Sequence, residues 1–122
     1  MASYREMKVW QRAIELSIAI YKLTSEFPKD ELYGLTSQMR RCTVSVASNI
    51  AEGYGRSSKG EFRQFLGMAR GSILELQTQL VIAGRLGFGE CLQFETADGL
   101  ADEVGKMLWA LLKSVEAKKS EL

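Results

Sequence analysis

The segment RRCTVSVASNIAEGYGR, residues 40–56, holds the polar side chains in this sequence that most resemble a chemical site. The chain contains no histidine, which removes the usual general base at neutral pH and the commonest side-chain ligand of transition metals. For an enzyme, the best arrangement is Ser45 or Ser72 beside Arg41 and Glu75, and no lysine or histidine is evident as a base. We therefore predict a protein that is not an enzyme, with no catalytic residue, no cofactor and no metal site.

The polar residues of this segment recur with helical spacing and form one stripe, at about 100° per residue. An apolar stripe lies on one side and a face of small residues on the other, so we expect partial burial. A buried charge requires a partner, and we expect Arg41 to pair with Glu75 or Glu52. The polar stripe has one of two roles: it specifies how the helices pack against each other, or it lines a ligand site. The predicted network consists of Gln38, Arg41, Ser45, Asn49, Glu52, Ser72 and Glu75.

Basic residues are concentrated in the middle of the chain, although the net charge is only +1. Residues 36–70 carry a balance of +4 and residues 90–116 a balance of −4. Such polarity suits an anionic partner or head-to-tail packing of subunits. The aromatic residues mostly fit core positions, and no aromatic platform is evident beside Arg56, Lys59 and Arg63, so we expect contacts to phosphate by charge and shape rather than base readout. The candidate nucleic-acid-binding residues are Arg40, Arg56, Lys59, Arg63 and Arg70.

Helices must position these residues, because apolar spacing near 3.6 recurs along the chain and period-two patterns are missing. We predict helices over residues 3–26, 36–54, 58–86 and about 92–118. Ser3 with Glu6, and Ser58 with Glu61, match the S-x-x-E capping box, and the glycines of GFGE predict a helix end. Short connections make successive helices antiparallel. The predicted fold is all-α, a single domain over residues 1–122 folded as an up-down-up-down four-helix bundle.

The two cysteines and the hydropathy pattern predict where the protein resides. Cys42 and Cys91 each occupy an apolar helical position without a CxxC spacing, so we expect both to be buried thiols in a reducing compartment. The sequence shows no signal peptide at its start and no apolar run near the roughly 18 residues of a membrane span. We expect a cytoplasmic protein with no membrane partner.

Several helices carry more apolar surface than one bundle core requires. The first helix is apolar over about 220° of its circumference, with core and surplus residues on adjoining faces. Surplus apolar surface of this kind is typical of subunit interfaces, and we predict a homo-oligomer. The candidate interface residues are Trp10, Ile14, Tyr21, Leu74, Val81, Ile82 and Trp109.

Residues 4–88 resemble the four-helix bundle proteins encoded in intervening sequences of bacterial 23S ribosomal RNA genes. The family pattern is FP-x-x-E-x-x-G-L-T-S-Q-x-R-R, then S-x-x-x-N-I-A-E-G-x-G-R, then F-x-x-x-A-R-G-S-x-x-E. Cys42 stands where alanine is more typical. The pattern is met by Phe27, Pro28, Glu31, Gly34, Gln38, Arg40, Arg41, Ser45, Asn49, Glu52, Gly53, Arg56, Phe65, Ala69, Arg70, Gly71, Ser72 and Glu75.

The resemblance implies a ring-shaped homopentamer. It also implies kinship with the accessory protein of diversity-generating retroelements, a basic pentamer thought to bind nucleic acid and a reverse transcriptase. Two functional hypotheses follow. In the first, the oligomer binds structured RNA, or other nucleic acid such as DNA, through its basic patches. In the second, it is an assembly hub for a protein such as a reverse transcriptase or an rRNA-processing factor, without touching nucleic acid.

Overall fold

The computed structural model describes the backbone of residues 3–120 and the side chains of residues 3–116. Four α-helices make up most of this part of the chain and supply nearly all of the core, to which Met7 and Phe27 add from the connecting segments. The predicted all-α bundle is confirmed. The helices are α1 (Lys8–Thr24), α2 (Leu35–Tyr54), α3 (Lys59–Arg85) and α4 (Cys91–Ser120).

The helix ends are set by local hydrogen bonds that the sequence encodes. The Ser58 hydroxyl accepts a hydrogen bond from the Glu61 amide at 3.1 Å and caps α3 as predicted. At its other end, the amides of Gly87 and Phe88 bond back to the carbonyls of Gly84 and Ala83, with Gly87 at φ +74°. This pair of bonds is the Schellman arrangement, which favours glycine at the left-handed position.

The start of α1 differs from the prediction. Residues Tyr4–Glu6 form a separate 3₁₀ turn, and α1 begins only at Lys8 because Met7 is extended, with φ −69° and ψ 124°. Ser3 does act as a cap, but its hydroxyl accepts from the Arg5 amide and closes the 3₁₀ turn rather than α1. The connection from α1 to α2 likewise contains a short 3₁₀ turn, Lys29–Glu31, directly after Pro28.

Each helix contacts two neighbours, in the cyclic order α1, α2, α3, α4 and back to α1. Cross-helix contacts show the antiparallel arrangement: Thr24 at the end of α1 accepts from Arg40 near the start of α2, and Arg63 near the start of α3 reaches Glu116 near the end of α4. The α2–α3 connection therefore shares one end of the bundle with the end of α4. The core is filled by fully buried aliphatic side chains from all four helices.

The α2 and α3 helices leave no room for a side chain at Gly53. A β-carbon at residue 53 would lie 2.7 Å from Phe65 Cβ and 3.2 Å from Phe62 Cδ1. The 2.7 Å contact is shorter than real β-carbons make, so a side chain at residue 53 would force α2 and α3 apart, and glycine fits here without that shift. The residue thereby fixes where the α2–α3 turn lies.

Replacement of Gly53 by alanine tests this constraint. We expect Gly53→Ala to lower the free energy of unfolding by about 1–3 kcal/mol, the typical cost of overpacking a tight site. Gly67→Ala on α3 is the matched control, since a β-carbon there meets nothing within 4 Å. It should stabilise the helix by roughly 1 kcal/mol. Urea denaturation followed by circular dichroism gives both values, and equal stabilisation by the two variants would contradict the account.

Candidate nucleic-acid interface

The turn between α2 and α3 presents three basic side chains to solvent: Arg56, Lys59 and Arg63. Arg56 lies 3.9 Å from the Glu52 carboxylate, with its guanidinium carbon 4.8 Å from the centre of the Phe65 ring. Arg63 donates to Glu116 from Nη2 at 2.8 Å and from Nε at 3.1 Å. Both ion pairs are about half exposed, so they contribute little to stability.

Further basic residues continue from this turn along the junction of α3 and α4. Lys59, Arg63 and Arg70 fall within about 40° on α3 at 100° per residue, and Lys106 and Lys113 face them from α4. Lys106 pairs with Asp102 at 3.0 Å. We call Lys59, Arg63, Arg70, Lys106 and Lys113 the basic edge. Two carboxylates, Asp102 and Glu116, are ion-paired to it, which leaves the seven groups with a balance of +3.

Trp109 lies in the middle of the basic edge, and cations from both helices cover its ring. The guanidinium carbon of Arg70 is 4.6 Å from the ring centroid and the ammonium of Lys113 is 4.8 Å away. The prediction that no aromatic platform accompanies Arg56, Lys59 and Arg63 is wrong for Arg56, which lies over the Phe65 ring, and Arg70 has an aromatic partner as well. Sequence spacing within one helix does not reveal this pairing, because residues 70 and 109 belong to different helices.

Arg40, the remaining candidate, lies away from the others. It lies near the start of α2, 14 residues before Tyr54, where the helix ends, which is a separation of about 21 Å along the axis. Its Nε donates to the Thr24 hydroxyl at 2.9 Å, and its guanidinium carbon is 4.7 Å from the Tyr21 ring centroid. Arg40 thus ties the start of α2 to the end of α1. The five candidate bases do not form a single patch.

The predicted polar network is only partly assembled. The Ser45 and Ser72 hydroxyls lie 3.1 Å apart across α2 and α3, and the Asn49 amide donates to the Ser45 hydroxyl and carbonyl at 3.0 and 2.9 Å. These three residues are half-buried. The four charged or amide residues around them, Gln38, Arg41, Glu52 and Glu75, are exposed.

The expected ion pair of Arg41 with Glu75 or Glu52 does not form. In the part of the chain that the structure describes, Glu52 pairs instead with Arg56, four residues further along the chain, in the turn after α2. Arg41 and Glu75 both line a shallow cleft of about 290 Å³ between α2 and α3, over the serine pair. Because both side chains reach solvent, neither needs a partner for its charge. The helical spacing of the sequence predicted which residues form the polar stripe, but we expected their side chains to be more deeply buried than they are.

The two cysteines also differ from each other. Cys42 is buried and its thiol donates to the Ser72 carbonyl at 3.0 Å, whereas Cys91, expected to be buried, is exposed at the first position of α4. A helix's first turn lies at the rim of the bundle, where an apolar position need not face the core. Burial, together with the nearby Glu75 carboxylate, raises the pKa of Cys42 to about 12. This thiol stays protonated at neutral pH and is a poor nucleophile.

The candidate interface residues occupy three different surroundings. Trp10 and Ile14 are half-buried and line a groove of about 310 Å³ between α1 and α2. Tyr21 on α1 is 44% exposed and carries Arg40 on its ring. Leu74, Val81 and Ile82 of α3 and Trp109 of α4 are each about half exposed.

The described residues contain no group of three or more side chains that would hold a metal ion. None of the helices seen between residues 3 and 120 has the length and apolar character needed to cross a bilayer. The fold and its surface define a class: a small antiparallel four-helix bundle whose charged side chains, in the part of the chain that the structure describes, lie outside the core.

Comparison with known proteins identifies the family within that class. The sequence profile described as 23S rRNA-intervening sequence protein matches residues 5–110. The chain therefore belongs to the 23S rRNA-intervening sequence protein family, as its motifs predict. A search of curated proteins found no match.

A solved structure has the same fold. It is the crystal structure of a protein with unknown function from the S23 ribosomal protein family of Bacteroides thetaiotaomicron. The two share 22% sequence identity with a TM-score of 0.76, covering 86% of this chain and 98% of the other. At this identity the likeness shows the bundle fold alone. Neither the family description nor this structure indicates an enzymatic activity.

The difference between the two thiols is directly measurable. In the folded protein at pH 8 we expect iodoacetamide to alkylate Cys91 and leave Cys42 intact, because the thiolate is the reactive form. Raising the pH to 10 should not change this, since the pKa of Cys42 lies near 12. Intact mass and peptide mapping give the sites, and unfolding in urea should expose both. Equal labelling of Cys42 and Cys91 before unfolding would contradict the structure.

Proposed function

We propose that this protein is a non-enzymatic, ring-forming homo-oligomer, a pentamer as its family resemblance implies, that binds structured RNA through its basic edge and the adjoining α2–α3 turn. The observation that carries the proposal is the continuity of basic residues from the turn along the α3–α4 junction. Lys59, Arg70 and Lys113 have no carboxylate within ion-pair distance among the described residues. Their charge is available for phosphate.

Repetition of the basic edge around a ring adds up the modest charge of each subunit. A net charge of +1 per chain gives one subunit only weak attraction for a polyanion. In a ring each subunit presents the same edge, so several edges engage one nucleic acid together and the second contact is effectively intramolecular. Oligomerisation and RNA binding are thus linked in the proposal. Val81 and Ile82, half-exposed in the last turns of α3, supply apolar surface for the subunit contact.

The alternative is an assembly hub that binds another protein and no nucleic acid. Its support is the low net charge together with half-exposed apolar side chains such as Val81 and Ile82. The two functions differ in salt dependence, because phosphate contacts release counterions and apolar contacts between proteins do not.

Removal of charge from the turn tests the RNA proposal. We expect Arg56→Gln/Lys59→Gln/Arg63→Gln to weaken binding about equally for unrelated RNA sequences. The slope of log affinity against log salt should fall by roughly 0.7 to 0.9 per lost phosphate contact. Fold and assembly should be unchanged, because exposed charges add little stability. Fluorescence anisotropy over a salt series gives affinity and slope.

A second triple variant controls for net charge. Lys22→Gln/Lys29→Gln/Arg85→Gln removes the same charge from the opposite end of the bundle, where all three side chains are exposed. It should bind RNA nearly as the wild type does. Equal slopes for both triple variants would remove the turn from the mechanism. Failure of the wild type to bind any RNA at low salt would favour the protein hub.

The assembly is tested separately at Ile82. This side chain is 46% exposed on α3, and a charge there is unfavourable in the apolar centre of an interface. We expect Ile82→Glu to shift the oligomer toward smaller species without loss of helix. Leu32→Glu, at a 50% exposed position in the α1–α2 connection, is the matched control. Light scattering at micromolar concentration measures both, and a monodisperse wild-type monomer would contradict oligomerisation.

A further inference from the structure

We propose that Trp109 and the cleft beside it bind one unpaired base of single-stranded RNA, with Arg70 and Lys113 holding the adjacent phosphates. The inference deepens the proposed RNA function and rests on it. In this proposal, Trp109 recognises the unpaired loops of a structured RNA and not its duplex stems.

The arrangement around Trp109 is that of a stacking platform. The indole is 48% exposed, and cations from α3 and α4 lie within 5 Å of its centre. Proteins that bind single-stranded nucleic acid stack its nucleobases on aromatic rings or on the guanidinium planes of arginine. Basic residues nearby follow the phosphate backbone. Arg70 serves both purposes, because its guanidinium covers part of the ring and carries a positive charge.

A cleft of about 290 Å³ adjoins the ring, close to the lower end of the sizes found for small-ligand pockets. Its inner side is formed where Ile73 passes close to Gly105: a β-carbon at residue 105 would lie 3.2 Å from Ile73 Cγ2. Because Gly105 has no side chain, the surface of α4 is recessed at this position on the inner side of the cleft. Leu74 gives an apolar wall and Gln77 offers a polar group to a base edge.

The surroundings of Trp109 distinguish it from the other candidate interface residues. Charged groups border it on several sides: Arg70, Asp102, Lys106 and Lys113. Charged residues are depleted at the centres of subunit interfaces, while cations beside an exposed aromatic ring are typical of sites for single-stranded nucleic acid. We therefore separate Trp109 from the predicted subunit interface and assign it to the RNA surface.

The first test uses the ring as its own reporter. Trp10 is the other tryptophan in the sequence, so Trp10→Phe leaves Trp109 as the sole indole. Titration with an unstructured adenosine-rich RNA of ten nucleotides should quench its fluorescence through stacking. The same strand annealed to its complement should quench it much less, because duplex bases are not free to stack on protein.

The second test removes the platform. We expect Trp109→Leu to weaken binding of the single strand by about 10-fold to 100-fold, to leave duplex binding within about 2-fold, and to leave the salt slope unchanged. Trp109→Phe should retain most of the affinity. Tyr33→Leu is the matched control, since Tyr33 is 93% exposed at the far end of the bundle. Arg70→Gln should lower the salt slope by roughly 0.7.

The outcomes separate this inference from the function on which it rests. If the wild type binds RNA with a salt-dependent affinity but Trp109→Leu binds equally and the indole is not quenched, the platform is overturned and the proposed function stands. If no RNA binds at low salt, the proposed function itself fails. Dissociation of the oligomer by Trp109→Leu would instead return this residue to the subunit interface. Should that variant not fold, the quenching experiment on the intact ring decides.

Discussion

The close approach of α2 and α3 is the constraint on which the rest of the structure depends. It is possible because small groups meet along the whole contact: the Ser45 and Ser72 hydroxyls at 3.1 Å, the Cys42 thiol on the Ser72 carbonyl, and Gly53 beneath Phe65. Hydrogen bonds satisfy the polar atoms of these small side chains, so burying them at the contact leaves no donor or acceptor unpaired. This contact sets the position of the turn and, through it, the direction in which the basic residues of α3 point.

The composition of the core leaves the charged groups at the surface. The buried layer is almost entirely aliphatic, and Cys42, its one ionisable thiol, is kept protonated by burial and by a neighbouring carboxylate. The ion pairs of the described residues all lie at the surface, where they contribute little to stability. The bundle thus holds its charged groups outside the core, and in the proposed function these groups, with the exposed Trp109, contact the RNA.

The sequence predicts the helices well because their signals are local. The Ser58 cap, the glycines after α3 and the apolar spacing each act within a few residues, and the structure confirms them. Predictions that depended on the rotation of one helix against another were less secure. Arg41 turned out to be exposed, Cys91 lies at a helix start, and the contact between Arg70 and Trp109 joins residues that are distant in sequence. Such contacts depend on helix rotation and position, which periodicity alone does not determine.

The central claim joins assembly to RNA binding, and native mass spectrometry with and without RNA tests both parts in one experiment. The account predicts a single closed oligomer, five protomers by family resemblance, that gains the mass of bound RNA at low salt and releases it as salt is raised. A protein that remains monomeric, or an oligomer whose mass is unchanged by RNA at the lowest salt, would contradict it.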